Sequence, residues 1–347
     1  MKKSFYFWFP VALLIFSVTP AYADHANRLA VDKVKGDFSV MVLGSGGPVA
    51  TSSGRASAGY LIFIDAKPRI LMDVGGGTFQ RLAKSGVNVK DLELVLLSHL
   101  HIDHTGDLSS VVKTIYFHNR GAGAFRTAPI HFIGPAANNI LFPPVLPDAA
   151  STAQYPDTTK YIDQHFDLNE GIERYLHIFS RAISGGVFNF TSEDVPPDLN
   201  APMKILFEKD GLVVKSIAVT HGPVPALAFR IEYKGKSIVY SGDTSSKTDN
   251  MIALAQDADL LIYDTAIMDD LPNGPNDAVF FALHTTPTRL GEVAAAAQPR
   301  KLLLSHITPV TEPRIKTVKQ IIRQQGYFRK IKVARDLKVI NLLKKKY

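Results

Sequence analysis

The sequence predicts an α/β fold of four layers, two sheets face to face with helices outside. Three features point there. Runs with strand character alternate with runs of helical spacing, and this pattern occurs twice, each half β-rich first and helical afterwards. Potential metal ligands then follow directly behind apolar runs in both halves, as they would if strand ends gathered at one edge of the layers. No close internal repeat accompanies the two halves.

In the first half, 39–43, 60–64 and 70–73 read as strands, 79–84 as a short helix and 94–98 as a buried strand. Residues 107–117 carry Leu108, Val111, Val112 and Ile115 at helical spacing, with Asp107 placed to cap or to complement the helix dipole. A strand at 130–133 ends at Gly134-Pro135. Prolines at 143, 144, 147, 156, 196 and 197 break the pattern over about 142–202, with one helical stretch near 172–183. This is expected to be a long insertion outside the central sheets, beside the active site. Its Tyr155, Tyr161, Phe166, Tyr175 and Phe179 suit a pocket wall. In the second half, 212–219, 226–233 and 236–240 are strands, with Lys234-Gly235 as a hairpin turn. Residues 260–263 and 301–304 are further strands, 288–297 is a helix, and 312–325 is a helix behind Pro313.

Residues 98–106 read S-H-L-H-I-D-H-T-G, so His99, His101, Asp103 and His104 fall within six positions after the apolar run Leu94-Val95-Leu96-Leu97. Four such groups at the mouth of a buried strand are costly to leave unpaired. Imidazole and carboxylate both suit zinc and its neighbours, and a cation removes that cost. Alternation lets His99 and His101 point the same way from extended chain, and Asp103 with His104 can turn to a second centre. Three more ligands follow strand-like runs: His221 after Ile217-Ala218-Val219-Thr220, Asp243 in Tyr240-Ser241-Gly242-Asp243-Thr244, and His306 after Leu302-Leu303-Leu304-Ser305. His118, His131, His165 and His177 lack such spacing, and His25 lies near the chain start.

The chain has 347 residues, a formal charge of +7 and no cysteine, which excludes disulfides, thiolate ligands and a lipid-modified N-terminus. Lys2 and Lys3 precede an apolar stretch from Phe5 to Val18 and an Ala21-Tyr22-Ala23 pattern. Residues 1–23 are expected to be a signal peptide cleaved after Ala23, with one large α/β domain at 24–347 and a periplasmic or secreted location. The stretch is short for a membrane span and contains Pro10, so no stable membrane insertion is expected after cleavage. The Lys344–Lys346 tail reads as a solvated end. A mild basic excess fits an anionic substrate.

Beyond the ligands, Leu43-Gly44-Ser45-Gly46-Gly47-Pro48 with Arg55-Ala56-Ser57-Ala58, the segment Asp73-Val74-Gly75-Gly76-Gly77-Thr78, and His284-Thr285-Thr286-Pro287 complete a pattern. The chain resembles the metallo-β-lactamase-fold hydrolases, and within them the branch of ribonuclease Z, class II cyclic-nucleotide phosphodiesterases and alkyl/aryl-sulfatases. The resemblance implies that His99, His101 and His221 hold one metal and that Asp103, His104 and His306 hold another. Asp243 would bridge them, and a bridging hydroxide would attack the substrate. Asp103 would also orient that hydroxide, Asp73 would fix a ligand histidine, and His284 would act as general acid. Two zinc ions are expected, with manganese or iron compatible with the same ligands.

The bridging Asp243 and the missing cysteine disfavour a β-lactamase. Ribonuclease Z itself is disfavoured because Gly76 stands at an acidic position of the family, Asp264 stands at a glutamate position, and no tRNA-clamping arm is visible. The expectation is therefore an exported dinuclear hydrolase of small anionic esters, phosphodiester or sulfate ester, with nucleic acid disfavoured as a partner. The alternatives are a ribonuclease Z-like phosphodiesterase acting on RNA, or a metal-loaded accessory protein. Oligomeric state stays open, a homodimer included.

Overall fold

The computed structural model describes residues 29–121, 123, 125–141, 154–271 and 278–343. The expected signal peptide at 1–23, the Lys344–Lys346 tail and 142–153 of the expected insertion lie outside the described residues. In chain order the elements of the first half are β1 (Phe38–Gly44), β2 (Gly59–Ile64), β3 (Lys67–Val74), α1 (Thr78–Ser85), β4 (Leu94–Leu96), α2 (Ile102–Thr105), α3 (Leu108–Gly121), β5 (Ile130–Pro135), α4 (Thr158–Phe166), α5 (Tyr175–Ser184) and β6 (Phe190–Val195). The second half holds β7 (Lys204–Lys209), β8 (Leu212–Ala218), β9 (Leu227–Tyr233), β10 (Lys236–Tyr240), α6 (Asn250–Ala255), β11 (Leu260–Asp264), α7 (Ala278–Leu283), α8 (Pro287–Ala297), β12 (Lys301–Ser305), α9 (Ile315–Gln324), β13 (Lys330–Val333) and β14 (Val339–Leu343).

These strands build two seven-stranded sheets among the described residues, ordered β14-β1-β2-β3-β4-β5-β6 and β13-β12-β11-β10-β9-β8-β7. Each is half antiparallel and half parallel. The parallel halves are β3 to β6 and β10 to β13. Parallel neighbours share their carboxyl ends, and ligands of α/β sheets collect there.

Three buried apolar clusters match the three interfaces of four layers. Val40, Val42, Ile62, Phe229, Ile231 and Leu303 meet between the sheets. Met41, Leu43, Leu61 and Leu71 pack outward against Leu108, Val111 and Ile115 of α3. Leu261, Leu302 and Leu304 pack outward against Leu290 and Val293 of α8 and Val318 and Ile322 of α9. A strand covered on both faces has no polar side to show, which is why β1 is buried at every position. The predicted hairpin between β9 and β10 turns through two left-handed residues, Lys234 (φ 48°) and Gly235 (φ 70°), the pair that a two-residue turn with the right twist needs.

The expectation that 142–202 lies outside the sheets is corrected by β6, which pairs in parallel with β5 from Ile130↔Phe190 to Pro135↔Val195. It is an edge strand, partly exposed along most of its length. Its F-T-S-E-D-V sequence therefore carries no apolar alternation to read. The same segment holds two helices rather than one. In α4 Thr158, Ile162 and Phe166 are buried at i, i+4 and i+8, a stripe that the surrounding prolines hide. The helical stretch expected from residue 172 begins at Tyr175.

Candidate metal centre

Strand β4 delivers the S-H-L-H-I-D-H segment to the edge of the first sheet. His101 is still extended (φ −68°, ψ 150°), and the chain then closes one helical turn, α2. That change of backbone separates the ligands. His99 and His101 meet His221, which follows β8, while Asp103 and His104 meet Asp243 after β10 and His306 after β12. The ligand atoms within each of the sets His99–His101–His221 and Asp103–His104–Asp243–His306 lie within 4.8 Å of one another. Asp243 Oδ2 stands 3.2 Å from His306 Nε2 and 3.9 Å from His99 Nε2, so it faces both sets. A third close set, Asp243, Asp264, His284 and His306, shares two members with the second. All seven residues expected as ligands are thus brought together, with His284 beside them.

Proton bookkeeping shows what the cluster wants. Ser98 donates its backbone N–H to Asp73 Oδ1 and its hydroxyl to Asp73 Oδ2, both at 2.7 Å. The Ser98 oxygen is then the acceptor for His99 Nδ1–H at 3.1 Å, which leaves the lone pair of His99 on Nε2. His104 Nδ1–H donates to Asp73 Oδ2 at 2.7 Å, and His221 Nδ1–H to the Leu283 carbonyl at 2.7 Å. Their Nε2 atoms therefore also point inward. His221 Nε2 faces His101 Nδ1 at 3.3 Å, and His104 Nε2 faces His306 Nε2 at 3.3 Å. His99 Nε2 and Asp243 Oδ1 are buried with no hydrogen-bond partner. Imidazole lone pairs and carboxylates aimed at each other in a buried space need a cation, and this nitrogen and oxygen donor set fits a divalent metal.

Electrostatics divide the cluster in two. Burial, with the neighbouring histidines, pushes His99 well below its ordinary value, and burial lowers His101 and brings His221 down to about 4. Burial opposes protonation of His104 and His306 too. There the carboxylates win: Asp243, Asp103 and Asp73 raise His104 well above normal, and Asp243, Asp103 and Asp264 hold His306 at about 10. Asp103 and Asp243 resist burial and are lowered by the same contacts.

Asp264, at the end of β11, accepts from His284 Nδ1 at 2.9 Å. Its Oδ1 is fixed by the Ala266 N–H. The short aspartate therefore reaches the histidine. Burial lowers His284, but the Asp264 charge and hydrogen bond raise it overall. Several partners were not singled out from the sequence. Tyr240 donates to Asp73 at 2.6 Å, and Tyr155, from the segment after 142–153, approaches His101 Nε2 at 3.4 Å. Tyr240 stands three residues before Asp243, a position that could have drawn attention. Tyr155 had only its place among the insertion's aromatics. His118 accepts from the Val89 N–H, His131 contacts Thr191, and His177 donates to the Phe166 carbonyl, all outside the cluster.

Comparison with known proteins agrees with this geometry. The family model of the metallo-beta-lactamase superfamily matches residues 53–278. A ribonuclease Z of Mycobacterium bovis (strain BCG) is 27% identical over 306 residues, covering 86% of this chain and 96% of the relative. A ribonuclease Z of Mycobacterium marinum is 27% identical over 278 residues, covering 78% and 87%. Among solved structures, the fold is shared with the Bacillus subtilis metallo-beta-lactamase fold protein YhfI (TM-score 0.59, 20% identity, 88% of this chain and 99% of that one). It is shared equally with human tRNase Z, short form (TM-score 0.58, 21% identity, 88% and 99%). The sequence argument against nucleic acid as a partner is overturned by these relatives, whose name is that of an RNA-directed enzyme and whose likeness spans most of the chain. That argument leaned on Gly76, on a missing arm and on Asp264, and the aspartate does reach His284 beside the cluster. With a family model over well more than half its length and a buried divalent-metal donor set, the chain belongs to the metallo-beta-lactamase superfamily of metal-dependent hydrolases.

Proposed function

We propose that this protein is a ribonuclease Z-like phosphodiesterase acting on RNA. The observation that carries the reading is the ribonuclease Z likeness over 86% of the chain and 96% of the relative, in a molecule whose strand ends assemble the donor cluster described above. Under this reading His99, His101 and His221 hold one divalent cation. Asp103, His104 and His306 hold a second, with Asp243 between them, and zinc suits the set best. Bound there, such cations polarise a phosphodiester and acidify a water held beside it.

The chain's own residues do the rest. Asp103, kept ionised by His104 and His306, orients the attacking water. Asp73 fixes the tautomer of His104. Asp264 accepts from Nδ1 of His284, so Nε2 is the nitrogen that carries a proton to the leaving oxygen. This proton path needs no glutamate, because the aspartate already makes the contact.

The test is an assay of the purified full chain, with and without chelator, on a precursor tRNA and on bis-p-nitrophenyl phosphate. Metal-dependent RNA cleavage is expected. His284→Ala should lower kcat roughly 10²–10⁴-fold with metal content unchanged. Turnover of the small ester with the RNA left intact would return the reading to small anionic esters. Metal bound but neither substrate turned over would favour an accessory protein.

A further inference from the structure

We propose that the open edge of the sandwich between β13 and β14 is a binding groove for the phosphodiester backbone of RNA, separate from the metal centre. The inference rests on the RNA-directed reading above. β13 and β14 are the edge strands of the two sheets on the same side of the molecule. Between them lies a cavity of about 680 Å³ lined by Lys301, Lys319, Lys330, Lys332, Arg335 and Lys338. No acidic residue lines it, and its floor is apolar, with Leu303 and Ile340.

The charge there is uncompensated. None of the six cations makes an ion pair among the described residues. The one carboxylate that acts on Lys301, Asp259, is already engaged by Lys236 at 2.9 Å and Arg300 at 3.5 Å. Lys301 and Lys330 are direct cross-strand partners, and like charges placed so repel. Burial and the neighbouring cations lower both Lys301 and Lys319.

The opposite edge of the same sandwich provides the internal comparison. There Lys204 on β7 pairs with Glu193 on β6 at 3.1 Å, and Lys209 pairs with Glu93 at 3.4 Å, so the edge lysines are neutralised across the sheets. Lysines on an edge strand can serve merely to discourage pairing with another chain. That role explains neither Lys319, which comes from α9, nor Arg335 and Lys338, which come from the connection to β14. Six cations around one apolar-floored groove, repelling one another, fit a polyanion whose charge repeats along its length.

The groove leads from the active edge. Val333 at the end of β13 pairs with Leu304 on β12, two residues before His306. Strand spacing puts the near end of the groove within about 10–15 Å of the metal cluster. RNA bound at the centre could therefore continue along it.

The test uses fluorescence anisotropy with a labelled precursor tRNA and a labelled oligouridylate over a range of salt. It compares the wild-type chain with a variant carrying Lys330→Gln, Lys332→Gln, Arg335→Gln and Lys338→Gln, all at exposed positions. The variant should bind at least about tenfold more weakly, and its salt slope should be smaller by about 3, at roughly 0.7 per lost single-strand phosphate contact. KM for RNA cleavage should rise by a similar factor with kcat kept, and bis-p-nitrophenyl phosphate turnover should not change. A control with Lys204→Gln and Lys209→Gln should bind as wild type. Unchanged RNA binding by the fourfold variant would overturn the groove, whether or not RNA is cleaved. So would equal loss in the control, or a wild-type chain that binds anionic lipid vesicles but no RNA. Groove-dependent RNA binding without RNA cleavage would leave the groove standing and remove only the proposed activity.

Discussion

His306 enters the cluster on a left-handed backbone, φ 56°, and Asp73 stands at φ 53°. Each conformation costs a non-glycine residue of order 1–3 kcal/mol and persists only where the surroundings impose it. Gly47 is part of that imposition, since a Cβ there would lie 2.7 Å from His306 Cε1. What the strain secures is a division of protonation states. Without a metal, the carboxylates Asp103 and Asp243 favour a proton on His104 and His306, whereas burial favours the neutral form of His99, His101 and His221. A cation entering the acidic half must displace those protons, and one entering the tri-imidazole half displaces none. His306 is held at about 10, so affinity of the acidic half should climb as pH rises and level off only above that value. The climb should be about tenfold per pH unit for each proton lost. Calorimetric zinc titrations at pH 7.5 in buffers of different ionisation enthalpy should show proton release in only one of two binding phases. Buffer-independent heats in both phases would contradict this assignment.

At the level of elements, legibility followed chemistry. The seven expected ligands, which the structure brings together, stood out because they are strong donors following apolar runs, and the buried strands were readable because both faces are covered. The edge strands β6, β7 and β13 were not, since F-T-S-E-D-V, K-I-L-F-E-K and K-I-K-V show water a polar side. The proposed groove was not readable for a different reason: its lysines are scattered over residues 301–338 and converge only when β12, β13, α9 and the β14 connection pack together. Glycine spacing carried more than the sequence alone could assign. The turn after β3 presses backbone to backbone on α2, where a Cβ at Gly75 would stand 1.9 Å from the Asp103 carbonyl oxygen, while Gly76 has nothing within 4 Å. Gly75→Ala should therefore cost roughly 1–3 kcal/mol by overpacking and weaken metal uptake by shifting Asp103 and His104. Gly76→Ala should stay within about 0.5 kcal/mol of wild type. Denaturant unfolding and zinc titration of the pair decide it, and matching behaviour of the two variants would refute the close-contact argument.

For the whole molecule, the metal cluster is one of several ties between the sheets among the described residues. His99, His101, Asp103 and His104 follow β4 of the first sheet, and His221, Asp243 and His306 follow β8, β10 and β12 of the second. At the other end, Tyr233 and Lys234 from the β9–β10 hairpin bond Asp65 of the β2–β3 turn at 2.8 and 3.2 Å, and Lys234 also reaches Asp37. One end is thus closed by ordinary hydrogen bonds and ion pairs. The other is closed by buried donors, His99 Nε2 and Asp243 Oδ1 among them without a hydrogen-bond partner, that a cation would join. Because the cation binds the folded arrangement alone, a thousandfold excess over Kd adds about 4 kcal/mol. Chelation should accordingly lower Tm by about 10 °C, given roughly 2–4 °C per kcal/mol in a domain of this order of size. The loss should also be local. Hydrogen exchange should quicken at the carboxyl ends of β4, β10 and β12 and stay slow around Asp65 and Lys234, where the hairpin contacts are untouched. Exchange that rises equally at both ends after chelation would show that the cations stabilise the sandwich as a unit rather than as a clip at one edge.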